Sequence, residues 1–509
     1  MECVKIAHTQ QANLEEPASK LNLHGARLLI FVVAYNAEKT IDSVLRRIPA
    51  CLHQPGVEAL VIDDCSRDAT FSIGCQSQDL GFDLTVLRNP CNQRYGGNQK
   101  LGYRYAIDHG FDIVALVHGD GQYAPEKLPE LLEPLISGKA DAVFGSRMVI
   151  AGAALRGGMP LYKYVGNKIL TTFQNAILGT ELSEFHSGYR LYTTDALRQV
   201  PFERNTNDFH FDTEIINQLV FKKLRIVEVP IPTYYGDEIC HVAGLRYAWD
   251  VVKTMLQARF HQMNLLYDRK FDVNPVEENY GLKLGYTSSH TMALDAVRPG
   301  KSQLDLGCGQ GYWAEEAALL GGIVTGLDQY APIGKPTTAR VQFLRWNLND
   351  GDFPTKVAGF DQIFMLDIIE HLQDPEVFME LLRSATGCKR PELILTTANV
   401  GFFVTRLMLL LGKFNYGKKG ILDRTHTRLF TFKSLQHLLE QAGYVVGEMK
   451  GIPAPFPSAV GDNWMGRTML AINKALIHVT RGLFSYQIFV RAQALPTVDH
   501  LLSETIQAS

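Results

Sequence analysis

The chain has 509 residues, of which 46% are hydrophobic and 20% charged, and its formal net charge is −3. This composition excludes a disordered or collagen-like chain, and the charge gives no reason to expect nucleic acid as a partner. At about 150 residues per domain, the length predicts two large domains or three small ones. The eight cysteines include no CxxC pair, which disfavours a disulfide scaffold or a zinc–cysteine site and favours a reducing compartment.

The apolar runs of the sequence are shorter than the roughly 20 residues that a membrane-spanning helix needs. The N-terminal stretch is polar up to about Leu21, and the apolar segment 402–411 contains Arg406. We therefore expect no transmembrane segment and a cytoplasmic protein, with at most peripheral contact with the inner face of a membrane.

In the first half of the chain, short apolar runs rich in branched residues alternate with helix-like segments, one of which begins at Pro125. This alternation predicts a mostly parallel sheet with its ligand site at the carboxyl ends of the strands. The predicted strands are residues 28–34, 57–62, 84–87, 113–117 and 142–145.

After Thr233 the pattern changes to one long helix and an irregular stretch, and a second β–α alternation opens at Gln303. Six residues at helical spacing predict one apolar helix face; they are Val242, Leu245, Trp249, Val252, Leu256 and Phe260. The predicted division is a polar tail at 1–26, a first domain at 27–236, a connecting helix and linker at 237–274, a second domain at 275–495 and a tail at 496–509.

A late helix is predicted from apolar residues spaced four and three apart. Asp462 is placed to cap its start and Gly482 to end it. Such a helix either lies on a membrane or binds a partner, or it packs on its own domain. Its apolar residues are Met465, Met469, Ile472, Leu476, Val479 and Leu483.

The segment LDLGCGQG at 304–311 predicts a strand that runs into a loop with three alternating glycines. Glycines let the backbone turn tightly and let a ligand approach the main chain. The next strand, 323–327, ends in Asp328, an acid placed to bind ribose hydroxyls. The spacing GxGxG differs from the GxGxxG of dinucleotide-binding loops, so a dehydrogenase that binds NADH is the weaker alternative.

Together with the segment FDQIFMLDIIEHLQDP at 360–375 and a strand at 392–396, this motif resembles class I S-adenosylmethionine-dependent methyltransferases. The resemblance covers 275–495 and is closest to the branch with ubiquinone-biosynthesis O-methyltransferases. It implies a Rossmann-like fold and S-adenosylmethionine as cofactor. The implied contacts are Asp305, Gly307, Gly309 and Gly311 with the methionine part, Asp328 with the ribose, and Asn347 and Leu348 with the adenine.

Asp367, Glu370 and His371 form a D-x-x-E-H motif, and His426 follows in DRTHTR. Methyltransferases of small-RNA 3′ ends use a similar motif with a distant histidine to hold Mg²⁺ against a vicinal diol. One interpretation is therefore a divalent metal held by these four residues during sugar O-methylation. The other makes His371 or His426 the general base toward a hydroxyl.

In the first half, FVVAYN at 31–36, VIDDCSRDAT at 61–70 and VHGDGQYAPE at 117–126 each begin in a predicted strand and run past its end. With GSR at 145–147, HSGYR at 186–190 and EVPIP at 228–232, they resemble a family 2 glycosyltransferase of the dolichyl-phosphate-mannose-synthase-like branch. The resemblance covers 27–236 and implies a GT-A fold and inverting transfer from a UDP-, GDP- or dTDP-sugar. A glycan or a polyprenyl phosphate is the implied acceptor.

The same resemblance assigns the donor site. Val33, Tyr35 and Asp64 are expected at the base, and Arg147 and Arg190 at the phosphates. The alternative for the arginines is pairing with an acid such as Glu126 or Glu184.

The family's Asp-x-Asp motif holds Mn²⁺ or Mg²⁺ against the diphosphate leaving group. Here Asp120 keeps the second position, Gln122 assists, and His118 stands in place of the first acid. His118 is either a metal ligand or a histidine satisfied by its neighbours.

Glu184 is expected as the general base or as a carboxylate that orients the acceptor; a lipid phosphate, already anionic, has less need of a base. Asp212 and Glu214 either line the acceptor cleft or are first-turn acids that the helix dipole favours.

The sequence thus predicts a bifunctional enzyme of two α/β domains. The first transfers a sugar by inversion, and the second methylates an oxygen of the same glycan or glycolipid. Because His118 replaces an acid, the alternative is a methyltransferase whose first half only binds a nucleotide or glycan.

Overall fold

A computed structural model describes residues 2–6, 21–77, 79–233, 244–263, 265–273, 282–332, 339–351, 353–387 and 389–508. The chain divides into two compact units. The N-terminal unit comprises Met1–His261 and Asp268–Pro275, and the C-terminal unit comprises Gln262–Tyr267 and Val276–Ser509. Val242 and parts of the predicted first tail and linker lie outside the described residues. Among those described, no helix has both the length and the apolar character needed to cross a membrane.

The N-terminal unit contains an eight-stranded sheet in the order β1-β4-β3-β2-β5-β7-β6-β8. β1 and β7 run antiparallel to their neighbours, and the other pairs are parallel. The five predicted strands are confirmed to within one residue at each end, while β1 forms in the segment predicted as a polar tail. The strands are β1 Glu2–Ile6, β2 Leu28–Ala34, β3 Val57–Asp63, β4 Asp83–Arg88, β5 Ile113–His118, β6 Ala142–Ser146, β7 Arg190–Thr193 and β8 Ile226–Pro230.

Helices cover both faces of this sheet. Ile30 and Val32 of β2 lie in one buried apolar cluster, and Leu29 and Phe31 lie in another. This two-sided burial explains why the strand reads as an unbroken apolar run. The helices are α1 Ile41–Arg46, α2 Thr70–Gln76, α3 Arg94–Asp108, α4 Leu128–Ile136, α5 Ala153–Arg156, α6 Leu161–Leu178, α7 Thr194–Arg198, α8 Phe211–Phe221 and α9 Gly244–Gln262, with 3-10 turns at Ala50–Leu52, Pro125–Lys127, Phe202–Arg204 and Arg269–Phe271.

The predicted apolar face of α9 is not the buried face. Leu245 is 92% exposed and Trp249 is 68% exposed, whereas Val251, Met255 and Ala258 are buried. The helix is therefore confirmed, and it packs through residues outside the predicted apolar face.

The C-terminal unit contains a seven-stranded sheet in the order β11-β10-β9-β12-β13-β15-β14. β15 runs antiparallel to both of its neighbours, and the other pairs are parallel. The strand order reverses between β9 and β12, which places a ligand crevice at their carboxyl ends. The strands are β9 Ser302–Leu306, β10 Ile323–Asp328, β11 Val341–Arg345, β12 Gln362–Leu366, β13 Glu392–Ala398, β14 Tyr444–Ile452 and β15 Gln487–Ala494.

The helices of this unit also cover both sheet faces, and the last of them lies in the segment predicted as a tail. They are α10 Ser289–Leu294, α11 Tyr312–Leu319, α12 Pro375–Thr386, α13 Phe403–Leu410, α14 Phe432–Gln441, α15 Phe456–Val460, α16 Trp464–Val479, α17 Arg481–Phe484 and α18 Val498–Ala508, with 3-10 turns at Val357–Gly359 and Ile369–His371.

The late helix α16 forms where it was predicted, but its cap differs. The side chain of Asn463 accepts a hydrogen bond from the Gly466 amide at 2.9 Å. Asp462 instead forms an ion pair with Arg467. The helix ends at Val479, before Gly482.

Candidate active sites

In the N-terminal unit, β2 lies between β3 and β5. From β2, the next strands along the chain lie on one side of the sheet and β5 lies on the other, so the strand order reverses at β2. The Gly119 amide donates to the Val33 oxygen at 2.9 Å, and the Asp64 amide donates to the Ala34 oxygen at 2.8 Å. These bonds bring the segments that follow β2, β3 and β5 to one edge of the sheet. A ligand crevice is expected at such an edge.

Asp64 is buried at this edge, and its orientation is fixed. One carboxylate oxygen accepts from Nδ2 of Asn89 at 2.8 Å and from the Gln93 amide at 2.7 Å. Val33 is half-buried and Tyr35 is exposed. The three residues assigned to the base therefore stand near one another in the fold, and Tyr35 presents an aromatic ring to solvent.

The hydroxyl residues after β3 have a role that the sequence did not reveal. Ser66 Oγ accepts from the Asn36 amide at 2.8 Å, and Thr70 Oγ1 accepts from the Ala37 amide at 2.7 Å. Asp68 accepts from Thr70. These side chains therefore fix the loop that follows β2 as well as the start of α2.

Glu184 and Arg147 form a buried ion pair. Arg147 donates to the carboxylate through Nε at 3.1 Å and through its amide at 2.8 Å, and Asn167 Nδ2 donates at 2.8 Å. Burial acts to raise the pKa of Glu184, but Arg147 and these hydrogen bonds outweigh it and leave the pKa below its usual range. Glu184 is therefore a poor general base, and Arg147 pairs with an acid rather than standing ready for phosphate.

Arg190 lies beneath the crevice. It is fully buried, donates to the Ser187 oxygen at 2.9 Å and the Phe185 oxygen at 2.7 Å, and lies 3.7 Å from the Asp212 carboxylate. Its guanidinium also stacks over the Phe144 ring, 4.6 Å from the centroid. The expected phosphate contact of Arg190 is wrong, because the side chain is already used to hold the loop before β7.

Asp212 and Glu214 are buried first-turn acids of α8 and do not line an open cleft. Asp212 accepts from the Tyr95 hydroxyl at 2.9 Å. Glu214 forms an ion pair with Lys270 at 2.7 Å and accepts from the Thr206 amide at 2.6 Å. Their contacts favour the structural alternative that the sequence left open.

The side chains of His118 and Asp120 have different environments. The His118 ring packs against Tyr123 and Tyr95, with centroids 4.9 and 5.7 Å away, and its buried Nε2 has no hydrogen-bond partner among the described residues. Asp120 is exposed, and its Oδ1 accepts from the Gln122 amide at 2.9 Å.

The described part of the chain holds no group of three or more His, Cys, Asp or Glu side chains that could bind a metal. The donors near this edge reduce to Asp120 and Gln122. These protein donors are too few for a metal site built by the chain alone, and the assignment of His118 to the Mn²⁺ or Mg²⁺ ion stays a prediction.

In the C-terminal unit, the glycine loop follows β9 at the crevice. Gly307, Gly309 and Gly311 all have positive φ angles, of 77°, 52° and 81°. A Cβ on Gly307 would overlap the Ile368 side chain, and one on Gly311 would overlap the Phe343 ring, whereas nothing lies within 4 Å of a Cβ on Gly309. Two of the glycines are thus required by packing, and the third faces open space that a ligand can enter.

The two acids at this loop have different environments. Asp328 accepts from the Gly309 amide at 2.9 Å and from the Tyr330 amide at 2.8 Å. Asp305 is buried, and within the described residues its Oδ2 has no partner. Burial and the Asp328 charge raise the pKa of Asp305 to about 7. An orphaned carboxylate oxygen beside a second carboxylate fits a cationic ligand, so this loop suits the amino acid part of S-adenosylmethionine.

The residues expected at the adenine follow β11 on the same edge. The Trp346 amide donates to the Asp328 oxygen at 3.1 Å, which holds the next residues beside Asp328. Asn347 accepts from the Asn349 amide at 3.1 Å, and Leu348 is half-buried against the core. The fold therefore brings the two predicted adenine contacts to the end of β11, next to the predicted ribose contact.

Asp367 and Glu370 are both engaged by the protein. Asp367 accepts from Thr396 Oγ1 and Gln487 Nε2, each at 2.8 Å. Glu370 accepts from the Ala398 amide at 3.1 Å and is buried. Burial and the Asp367 charge raise the pKa of Glu370 to about 7.

His371 and His426 come together although they are distant in sequence. Their ring centroids lie 4.8 Å apart. Nδ1 of His371 lies 3.2 Å from the Thr425 oxygen, and Nδ1 of His426 lies 2.9 Å from the Ile421 oxygen. A carbonyl partner assigns the proton to Nδ1 and leaves Nε2 as the basic nitrogen.

These two histidines do not join Asp367 and Glu370 in a metal group, since none is found among the residues described. The metal interpretation of the four residues is therefore wrong, and the geometry favours the general-base alternative.

Two family profiles match the chain. "Glycosyl transferase family 2" matches residues 29–200, and "Methyltransferase domain" matches residues 286–448. The chain joins a family 2 glycosyltransferase domain to a methyltransferase domain. Both are transferases, so the dehydrogenase alternative is wrong, and the predicted GT-A and Rossmann-like folds are confirmed.

Relatives match the glycosyltransferase part. Undecaprenyl-phosphate mannosyltransferase of Micrococcus luteus is 28% identical over 206 residues, which are 40% of this chain and 82% of that protein. Polyprenol monophosphomannose synthase of Mycolicibacterium smegmatis is 26% identical over 40% of this chain and 76% of that protein. Among solved structures, glucosyl-3-phosphoglycerate synthase of Mycobacterium tuberculosis is 19% identical, with a TM-score of 0.36 over 48% of this chain and 86% of that one.

Proposed function

We propose that the glycosyltransferase domain moves a sugar, with inversion, from a nucleoside diphosphate to a polyprenyl phosphate at a membrane surface. We further propose that the methyltransferase domain then methylates a hydroxyl of the glycolipid product. The ion pair of Glu184 with Arg147 carries the first part, because it makes the expected base a weaker proton acceptor. The two relatives above, named for undecaprenyl phosphate and polyprenol, support the same acceptor.

An anionic acceptor removes the need for a base. A phosphate oxygen attacks the anomeric carbon from the face opposite the nucleoside diphosphate. The new carbon–oxygen bond forms as the bond to the diphosphate breaks, and no proton has to leave the acceptor. A hydroxyl acceptor would instead need a general base, which Glu184 does not provide.

We assign Val33, Tyr35 and Asp64 to the donor base because they share the edge at the strand-order reversal. Asp64 can accept hydrogen bonds from a base, and the exposed Tyr35 ring offers a stacking surface. Asp120 and Gln122 follow β5 at the same edge and are assigned to the sugar diphosphate.

We assign S-adenosylmethionine to the crevice after β9, held by Asp305 and Asp328, with Gly309 leaving room for it. When bound, it supplies an electrophilic methyl group. Nε2 of His371 or His426 then takes the proton from the acceptor hydroxyl as the oxygen becomes methylated. This assignment predicts an O-methyl product.

The test uses the full chain in detergent with a polyprenyl phosphate and radiolabelled UDP-, GDP- and dTDP-sugars. We expect one donor to give a labelled lipid, and S-adenosylmethionine to make that lipid heavier by one methylene. Asp64→Asn should remove the first product, whereas His371→Asn together with His426→Asn should leave it and remove only the methylated one; the single variants then show which histidine is the base. Asparagine can keep a donor toward the Thr425 oxygen while lacking the basic nitrogen.

Transfer to a free sugar hydroxyl, with none to polyprenyl phosphate, would overturn the proposed acceptor. Donor binding without turnover on any acceptor would favour the alternative in which the first domain only binds a nucleotide or glycan. Methylation of the unglycosylated lipid would overturn the proposed order of the two steps.

A further inference from the structure

Two segments of the methyltransferase domain contain helices that have no part in the site described above, and both segments lie at the edge of that site. The segment with α13 follows β13, and the segment with α16 follows β14. The last residues of both strands, Ala398 and Ile452, pair with Gln487, the first residue of β15. Since β13 is parallel to β12 and β9, both segments begin at the edge that carries the glycine loop and the two histidines.

The two segments pack on each other. Asn399 Nδ2 donates to the Ser485 oxygen at 2.8 Å, and the rings of Phe403 and Phe484 have centroids 5.9 Å apart. Asn473 of α16 donates to the Phe484 oxygen at 2.9 Å. We call residues 402–428 and 464–484 together the edge cap.

The edge cap exposes large apolar side chains. In the first segment, Leu410 is 83% and Leu411 is 65% exposed. In α16, Trp464 is 80% and Val479 is 77% exposed, and the buried line of the helix runs through Leu470 and its neighbours instead of the predicted apolar residues. Of the predicted stripe, Met465, Ile472 and Val479 are exposed, and the other three residues are half-buried. The stripe is therefore only partly buried on its own domain.

The same surface is positively charged. Residues 402–428 contain six basic residues and one acidic residue, a net +5, in a chain whose net charge is −3. The acid, Asp423, is buried, and five of the six cations are exposed. The basic residues are Arg406, Lys413, Lys418, Lys419, Arg424 and Arg428.

We infer that the edge cap binds the surface of an anionic phospholipid bilayer. Exposed leucine and tryptophan side chains enter the boundary between headgroups and acyl chains, while lysine and arginine attract anionic lipid. A second copy of the chain is a poorer occupant, because the positive segment would face itself and interface cores are depleted of charge.

The biological role of this lipid binding rests on the proposed function, in which the methyltransferase acts on a glycolipid. His426 belongs to the same positive segment, between Arg424 and Arg428. A lipid-linked sugar held at this surface would meet the methyltransferase site without leaving the bilayer. Binding to lipid itself requires neither transfer reaction.

The experiment is flotation of the full chain with vesicles of phosphatidylcholine alone or mixed with phosphatidylglycerol, in the absence of donor, acceptor and S-adenosylmethionine. We expect flotation with the anionic vesicles and less of it at high salt. Leu410→Glu and Trp464→Glu should each weaken binding about tenfold or more, and Lys413→Glu with Lys419→Glu should remove the preference for anionic lipid.

Leu319→Glu is the matched control. Leu319 is 70% exposed at the end of α11, at the opposite edge of the same sheet. The Leu319→Glu variant should bind vesicles as strongly as the unchanged chain. Circular dichroism should show that all variants are folded.

The inference is overturned if the wild-type protein does not float with anionic vesicles. It is also overturned if the Leu410→Glu and Trp464→Glu variants float as well as the wild type. A wild-type dimer that these variants dissociate would assign the edge cap to a second copy. If the chain does not bind vesicles but still glycosylates and methylates in detergent, only this inference is refuted. Binding without either transfer would refute only the proposed function.

Discussion

The guanidinium of Arg147 holds the carboxylate of Glu184 in a buried ion pair, with Nε and Oε1 3.1 Å apart. Arg147 follows β6, and Glu184 lies in the loop that leads to β7. The pair therefore joins two segments of the glycosyltransferase domain at the edge where its donor is expected. The sequence assigned both side chains to substrate. In the fold, the two side chains instead bind each other.

Glu184→Gln should destabilise the glycosyltransferase domain by about 3–5 kcal/mol, because it leaves the Arg147 charge buried without its partner. The double change Arg147→Met with Glu184→Leu removes both charges at similar volume and should recover much of that loss. Urea unfolding of the full chain, of the single variants Arg147→Met and Glu184→Leu, and of the double variant measures the coupling. Normal stability in Glu184→Gln, together with lost transfer that returns at higher pH, would instead identify Glu184 as a base.

The sequence predicted the central strands well because of how they are buried. Leu28–Ala34 faces apolar residues on both sides of the sheet and contains no polar residue. Its two ends are therefore clearly marked in the sequence. Ile226–Pro230 is only half-buried and was not predicted as a strand. Burial is also what misled the assignment of Arg190, since a guanidinium that holds backbone oxygens has the same sequence pattern as one that binds phosphate.

Local spacing predicted the methyltransferase site only where one loop builds it, and His426 was grouped with His371 only through a resemblance to other methyltransferases. The glycine motif and Asp328 are close in sequence, and the fold joins them through the Gly309 amide. The contact between His371 and His426 depends on the long segment after β13 folding back, and no local pattern encodes that. The orphaned Oδ2 of Asp305 likewise results from tertiary burial.

Asp305→Asn should stabilise the methyltransferase domain at pH 8 and weaken ligand binding. The folded-state pKa of Asp305 is raised to about 7 from a model-peptide value of 3.8. The folded chain therefore holds a proton there that the unfolded chain has lost between about pH 4 and 7, and stability falls as the pH rises through that window. The neutral amide avoids this loss, so the gain should be about 1–3 kcal/mol at pH 8, or a few degrees in Tm, and small at pH 5.

Thermal unfolding at pH 5 and pH 8, with and without S-adenosylhomocysteine, checks both parts of this prediction. In the unchanged chain, affinity for S-adenosylhomocysteine should rise from pH 6 to pH 8, as Asp305 ionises and meets the ligand's ammonium group. A variant that is less stable at pH 8 yet binds normally would show that Asp305 is satisfied within the fold and does not contact ligand.

His118→Asp should create the divalent-cation site that the wild-type residues do not form. An acid at this position would restore the Asp-x-Asp spacing with Asp120, and carboxylates are the ligands that Mn²⁺ and Mg²⁺ prefer over a single imidazole. Affinity for Mn²⁺ in the presence of UDP should rise at least about tenfold, since affinity follows the number of ligand charges. Titration calorimetry measures it, with Asp120→Asn in the same background as the control that should cancel the gain.

Wild-type glycosyl transfer should meanwhile persist in EDTA. Loss of transfer in EDTA that is restored by Mn²⁺ would mean that Asp120 and Gln122 hold an ion with help from the substrate. Unchanged Mn²⁺ affinity in His118→Asp would mean that position 118 faces away from the diphosphate.

Gly309→Ala should separate ligand binding from folding in the glycine loop. The new Cβ meets no atom within 4 Å, so the fold loses only the cost of a left-handed backbone, about 1–2 kcal/mol. The same Cβ enters the space assigned to S-adenosylmethionine, and affinity for S-adenosylhomocysteine should fall at least tenfold in calorimetry. Gly311→Ala is the contrasting variant, because its Cβ overlaps the Phe343 ring and should lower Tm much more. Full affinity in Gly309→Ala would place the ligand elsewhere along the crevice, since a methyl group cannot share the space that a bound ligand fills.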